Sequence, residues 1–296
     1  MVAQEHRLGK GVAAALGSAA LMTCMAALVH VSGATLPSGQ LLAARGFVAV
    51  LALLPVARRQ GIGRVFRRDA TALWARCAAG LGSIFCYFWT LQQVNVGGAT
   101  ALADTAPLFV LLSSALILRE RPRAATVTAS LLAVSGAVLV HQPWRSELST
   151  RVALVGLLGA FFAGLAYASL RAAAGKFGRE LVVWCLGWFM IAGGLATLSE
   201  WRTPQGSAGW AAILGVGLFG LLGQLALTTA YRDLPASLAS TLGLSGLLFS
   251  VVFDVVLGGA RPVALELAGY ALVLLGGLGA TLIVSRAPPS KPAPST

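Results

Sequence analysis

Residues 99–122 read ATALADTAPLFVLLSSALILRERP, and residues 239–262 read ASTLGLSGLLFSVVFDVVLGGARP. At a constant offset of 140, Ala99, Leu102, Leu108, Phe109, Arg121 and Pro122 meet Ala239, Leu242, Leu248, Phe249, Arg261 and Pro262. Each copy is an apolar run that ends on Arg-Pro. A passage written twice at this distance divides the chain into two similar halves. The number of membrane spans between the copies then decides whether they point the same way.

The surroundings of the repeat are apolar throughout. The chain is 57% hydrophobic and 11% charged, with a mean hydropathy of +0.81. A soluble domain carries roughly 25% charged residues, and this little charge cannot cover a soluble core of 296 residues. Lipid is therefore the expected solvent. The net charge of +12 sits in short loops between apolar runs. That pattern fits topology signals and contact with anionic lipid, and gives no reason to expect nucleic acid. Cys24, Cys77, Cys86 and Cys185 are scattered among apolar residues without a CxxC, so they read as small helix side chains and not as a disulfide or metal set. The N-terminus has the charged start of a signal peptide, but its apolar run from Val12 to Val31 exceeds an h-region of about 7–15 residues and reads as a retained first span.

Apolar stretches of about 18–24 residues fall at 11–31, 38–57, 72–93, 97–118, 124–141, 151–172, 180–199, 208–230, 235–257 and 264–285. They are too long for barrel strands, which run about 9–11 residues with alternating polarity. The expected fold is an all-α membrane protein of ten transmembrane helices. With the N-terminus cytoplasmic, 17 of the 22 Lys and Arg residues fall on the cytoplasmic side and 4 on the other, with Arg45 inside a span. The cytoplasmic set includes Arg58, Arg59, Arg64, Arg67, Arg68 and Arg76. This bias places both termini in the cytoplasm of a multi-pass protein of the inner (plasma) membrane.

Five spans separate the two copies, and an odd number inverts the second. The expected organisation is a cytoplasmic N-terminus (1–10), a first five-helix repeat (11–141), a linker (142–150), a second, inverted five-helix repeat (151–286) and a disordered cytoplasmic tail (287–296). Inverted repeats are typical of secondary transporters, where similar halves exchange conformations around a central site.

Ionisable groups inside a membrane are costly and so are functional candidates. Arg45 and Asp104 each lie about seven residues from the outer end of a span, roughly 10 Å deep, and equal depth lets them pair. The pair is either structural, or Asp104 holds an ammonium or a proton for transport. His30 and His141 fall at outer span ends and read as interfacial, as does Asp254 near the outer end of the ninth span. Gln224, Thr228 and Tyr231 share one face of the eighth span. Ser83, Tyr87 and Thr90 share a face of the third, beside Trp89 and Gln92, and Tyr167 stands alone with Ser169 in the sixth. These faces either bond between helices or line a transport path. The expected substrate-binding residues are Tyr87, Gln92, Asp104, Tyr167, Gln224 and Thr228, with Arg45 in a structural or coupling role.

Other motifs read as packing. Gly156, Ala160, Gly164 and Ala168 form a small-residue stripe along the sixth span. Gly215, Gly217 and Gly220 match GxGxxG but sit inside an apolar run without a βαβ unit. No Walker motif, HExxH or Ser/His/Asp arrangement is present. No cofactor, no metal and no enzymatic activity are expected.

Ten spans in two halves, each with an Ala-rich fourth span before Arg-Pro, resemble the drug/metabolite transporter superfamily in its EamA-type branch. The matches are Arg45 in Ala-Ala-Arg-Gly-Phe, Pro107 in the fourth span, Leu-Arg-Glu-Arg-Pro at 118–122, and Ala230-Tyr231 with Pro235-Ala236. The second half departs from the pattern, with Leu247 opposite Pro107 and Ala260 opposite Glu120. The resemblance covers about residues 11–286. It implies a central cavity lined by spans 1, 3, 4, 6, 8 and 9, and small organic solutes such as amino acids, metabolites or nucleotide sugars. Bacterial members of this kind include amino-acid exporters of the YddG type. The expectation is a secondary transporter that exports amino acids or related metabolites by alternating access. The alternatives are a nucleotide-sugar or phosphometabolite antiporter, an intramembrane lipid-modifying enzyme, and a non-transporting receptor or assembly subunit. The expected partners are a small-molecule solute and the lipid bilayer, and a homo-oligomer is left open.

Overall fold

The computed structural model describes residues 2–33, 35–94, 96–118, 122–145, 149–258 and 262–285. Glu120, Arg121, Arg261 and the tail 287–296 lie outside the described residues, as do the side chains of His30, Gln92, Arg145 and Asp254. Within these limits the chain forms twelve α-helices: α1 (Val2–Ser32), α2 (Ser38–Gln60), α3 (Thr71–Gln93), α4 (Val96–Ala103), α5 (Ala106–Ile117), α6 (Ala124–His141), α7 (Thr150–Ala174), α8 (Arg179–Leu195), α9 (Gly206–Asp233), α10 (Ala236–Gly243), α11 (Gly246–Gly258) and α12 (Ala264–Ser285).

Among the described residues seven helical segments, with α4 and α5 taken together as one, are long and apolar enough to cross a membrane. Their outward faces carry Leu51, Leu116, Leu154, Leu214 and Leu278, each more than half exposed. An exposed apolar belt of this extent belongs in lipid. The chain is a multi-pass membrane protein.

Two of the expected continuous spans are broken, at matching places. In the first half the break falls at Asp104-Thr105 and in the second at Leu244-Ser245, 140 residues on. The backbone tightens there into i→i−3 bonds. Thr105 N–H donates to the Leu102 carbonyl at 3.3 Å and Leu108 N–H to Thr105 at 3.0 Å. Their counterparts are Ser245 to Leu242 at 3.0 Å and Leu248 to Ser245 at 2.9 Å. Short 3₁₀ stretches inside a helix are common at hinges. In the first copy Pro107 supports the restart of the helix at its first turn. The second copy has no proline there, and Gly243 and Gly246 flank its break. Apolar periodicity carries no trace of such a break, because both fragments stay equally apolar.

The helix pairing exchanges under the same shift. α1 packs on α9 and α3 on α7, while α2 packs on α8 and α6 on α12. In α6 and α12 the exchange holds residue by residue. A methyl placed on Gly136 would lie 2.5 Å from the Gly269 carbonyl, and one on Gly276 would lie 2.6 Å from the Ala129 carbonyl. Advancing 136 and 129 by 140 gives 276 and 269, so each contact is the other's mate. Reciprocal contact of this kind marks a two-fold interface. Gly46 and Gly187 similarly bring α2 and α8 together, with the missing side chain of Gly46 meeting the Gly187 carbonyl at 2.6 Å. Small residues allow such close approach where lipid offers no hydrophobic drive for helix association.

Candidate functional site

The helices deliver two polar clusters to the interior. The first lies among α2, α3, α7, α8 and α9. Arg45 projects from α2, and its Nη2 donates to Gln224 Oε1 at 2.9 Å and points at Met22 Sδ at 3.8 Å. It finds room because position 220 is glycine: a methyl there would meet Arg45 Nε at 2.7 Å and Cδ at 2.8 Å. The GxGxxG segment as a whole is a packing surface, with Gly215 against Leu28, Gly217 against Val48 and Gly220 against Arg45. Arg45 borders a void of about 10 Å³ together with Ala49, Val183, Leu186, Met190, Gly220, Leu221 and Gln224. That is room for about a single water.

Behind Leu186 stands a second cation. Arg76 is 5% exposed, its guanidinium carbon lies 5.6 Å from the centroid of the Tyr167 ring, and its Nε has no hydrogen-bond partner among the described residues. Tyr167 in turn stacks on Tyr231 at 5.1 Å and 19°. The expected polar face of α9 is thus buried, with Gln224, Thr228 and Tyr231 at 5%, 0% and 1% exposure. Gln224 and Tyr231 serve the cluster, whereas Thr228 Oγ1 donates to the Gln224 carbonyl at 2.8 Å and stays within its own helix. Tyr167, expected to stand alone with Ser169, contacts both Arg76 and Tyr231.

The second cluster sits at the α4–α5 break. Asp104 Oδ2 is 2.9 Å from His141 Nε2, and His141 Nδ1 is 3.2 Å from Thr100 Oγ1. The triad ties the end of α6 to the broken span. Close by, Tyr87 and Ser83 of α3 line a void of about 20 Å³ with Ala99, Ala103, Gly156, Gly159, Ala160 and Ala163. The stripe on α7 explains the proximity, because Gly156 packs against Leu102 and Gly164 against Phe109.

Arg45 and Asp104 therefore do not pair, contrary to the expectation from equal depth. Depth fixes only the height of a residue; the rotation of each helix sends Arg45 toward α9 and Asp104 toward α6. His141, read as interfacial, is the partner of Asp104. Arg76, counted among the cytoplasmic loop cations, is instead buried on α3. Its signal in the sequence is a lone arginine inside the apolar run 72–93. Gln92 lies on α3, but its side chain is outside the described residues. Among the described residues no group of three or more His, Cys, Asp or Glu is placed to hold a metal.

A sequence profile of the EamA-like transporter family matches residues 9–142 and again residues 150–282. The chain is 28% identical over 272 residues to the pseudopaline exporter CntI of Pseudomonas aeruginosa, covering 90% of this chain and 94% of that protein. It is 25% identical over 243 residues to a riboflavin transporter of Vibrio cholerae, covering 81% of each. A solved crystal structure superposes with a TM-score of 0.77 over 96% of this chain and all of that one, at 22% identity. That likeness shows the shared fold.

Proposed function

The chain belongs to the EamA-like transporter family, and from that premise we propose that it exports small organic solutes, amino acids or related metabolites, by alternating access through its centre. Ten spans, counting α4–α5 and α10–α11 as one each, make two inverted halves at 11–141 and 151–286. The observation that carries this reading is the exchange of contacts and backbone bonds under a shift of 140 residues. Two halves that can trade conformations give two states of similar energy, open to opposite sides. The two broken spans touch, α5 against α10. In this reading the cluster of Arg45, Gln224 and Tyr167 and the cluster of Tyr87 and Asp104 contribute to one substrate path.

The orientation in an inner membrane, with both termini cytoplasmic, is supported by the charged end of the bundle. Gln60 donates to Glu180 at 2.9 Å, Arg64 to the Lys176 carbonyl at 3.0 Å, and Arg171 to the Tyr231 carbonyl at 3.0 Å. That end also carries Arg58, Arg59, Arg67, Arg68, Arg179 and Arg232. The opposite end is tied by Gln40 to the Arg202 carbonyl at 2.8 Å and by Arg151 over Trp89. The names of the family and of its relatives speak for transport and not for catalysis. An antiporter of nucleotide sugars or phosphometabolites gains support from Arg76, a second cation in the interior.

The test is flux into and out of proteoliposomes containing only this protein, across amino acids and related metabolites, with and without a pH gradient. Flux above that of protein-free vesicles is expected for at least one solute. Its absence across the panel, with correctly inserted protein, refutes the proposal.

A further inference from the structure

We infer that Arg45 and Arg76 form the anion grip of the transport site, and that the solute carried bears a carboxylate. This inference rests on the transporter reading and narrows it. Within the lipid-embedded bundle Arg76 is buried and Arg45 is half-buried. Arg45 and Leu186 border the same small void. The Arg76 side chain runs past Gly80 toward the same leucine: a methyl on Gly80 would lie 2.7 Å from Arg76 Nη1 and 3.7 Å from Leu186 Cδ1. The two cations thus flank one side chain.

Charge balance is what makes them unusual. Among the described residues, Asp69 pairs with Arg67, Asp104 with His141, Glu180 with Arg179 and Asp233 with Arg232. Among the described residues no carboxylate, Glu200 and Glu266 included, forms an ion pair with Arg45 or Arg76. Arg45 is bonded by one neutral amide oxygen, and Arg76 by the face of Tyr167 with Nε left over. A buried cation without a counter-ion is costly. A bound anion removes that cost, and a guanidinium offers a planar fork matched to a carboxylate. Apart from Arg45 and Gln224 the lining is apolar, with Ala49, Val183, Leu186, Met190 and Leu221. Such walls suit the organic body of an amphipathic acid better than a multiply charged, strongly hydrated phosphate. The void of about 10 Å³ holds no such solute, so the helices around it part to admit one.

The experiment uses the purified full chain, in detergent for thermal shift and in proteoliposomes for flux. The probes are phenylalanine, its carboxamide, phenethylamine, phenylpropionate, and inorganic phosphate with a phosphomonoester. The acids are expected to stabilise the protein and to be carried, and the carboxamide and amine to do neither. Arg45→Gln and Arg76→Gln should each raise KM for the acids about 10- to 100-fold, the range for losing a charge-assisted bond. The lysine variants should recover part of it. Equal handling of acid and carboxamide by the unaltered protein overturns the inference while leaving the transporter reading intact. Preference for phosphate over carboxylate overturns the carboxylate assignment. If no probe moves, thermal stabilisation decides: none from either acid sinks the inference. Because the acid-to-amide comparison needs no variant, a misfolded arginine mutant leaves the test in force.

Discussion

Replacing Gly136 by alanine tests the two-fold packing on which the transporter reading depends. The added methyl would sit 2.5 Å from the Gly269 carbonyl oxygen, 2.8 Å from Val273 N and 2.9 Å from Leu272 Cβ. Two of these are backbone atoms of a facing helix and cannot rotate away. Ordinary contact begins roughly 1 Å further out, so α6 and α12 must separate along a shared face. Overpacking of this kind costs about 1–3 kcal/mol, against about 0.5–1 kcal/mol gained by exchanging glycine for alanine inside a helix. The net expectation is a loss of about 1–2 kcal/mol. Gly276→Ala should cost a similar amount, because its methyl meets Ala129 O at 2.6 Å, Ala133 Cβ at 2.7 Å and Ala133 N at 2.8 Å. The internal control is Gly17, in α1, where a methyl meets nothing within 4 Å. Gly17→Ala should be neutral or slightly stabilising. The assay is thermal unfolding in detergent, followed by loss of the monodisperse species and by tryptophan fluorescence. Gly136→Ala and Gly276→Ala should lower the apparent Tm by several degrees, on the scale of ~2–4 °C per kcal/mol. Equal melting of Gly136→Ala and the unaltered protein, or a fall with Gly17→Ala as large as that with Gly136→Ala, refutes the packing argument.

Gly220→Ala should push Arg45 off Gln224, lower Tm and reduce flux at least tenfold in the protein that still inserts; flux equal to the unaltered protein's means the Arg45–Gln224 bond is dispensable. Asp104→Asn and His141→Asn should each lower flux while leaving the protein folded. Their double variant should lose little more than either single, since the two groups act as one unit; fully additive losses in that cycle dismiss the pair as a unit. Tyr231→Ala should remove the stack under Tyr167 and destabilise the protein by about 3 kcal/mol, read as a lower Tm; an unchanged Tm contradicts the burial of Tyr231. Reporter fusions at Lys10 and Arg286 should both report the cytoplasm, and opposite sides would require an odd number of spans.

The legibility of the candidate site was uneven. Gln224, Tyr231, Tyr167 and Arg45 could be singled out because polar groups inside apolar runs are conspicuous, and the structure gathers them. Their arrangement could not be read. Equal depth matches Arg45 to Asp104, but depth leaves the rotation about the helix axis free, and that angle chooses the neighbour. Arg76 does lie inside the apolar run 72–93, but so near its start that charge counting assigns it to the preceding loop.

From the sequence alone come the apolar segments, the two-copy repeat and the lopsided placement of positive charge. Each is a local quantity, fixed by the transfer free energy of a residue or by identity at a constant offset. Only the tertiary structure decides the breaks at Asp104-Thr105 and Leu244-Ser245, the reciprocal glycine contacts of α6 and α12, the partners of Arg45 and Asp104, and the burial of Arg76 under Tyr167. Each depends on how helices distant in the chain are rotated and set against one another, and no hydropathy pattern carries that angle.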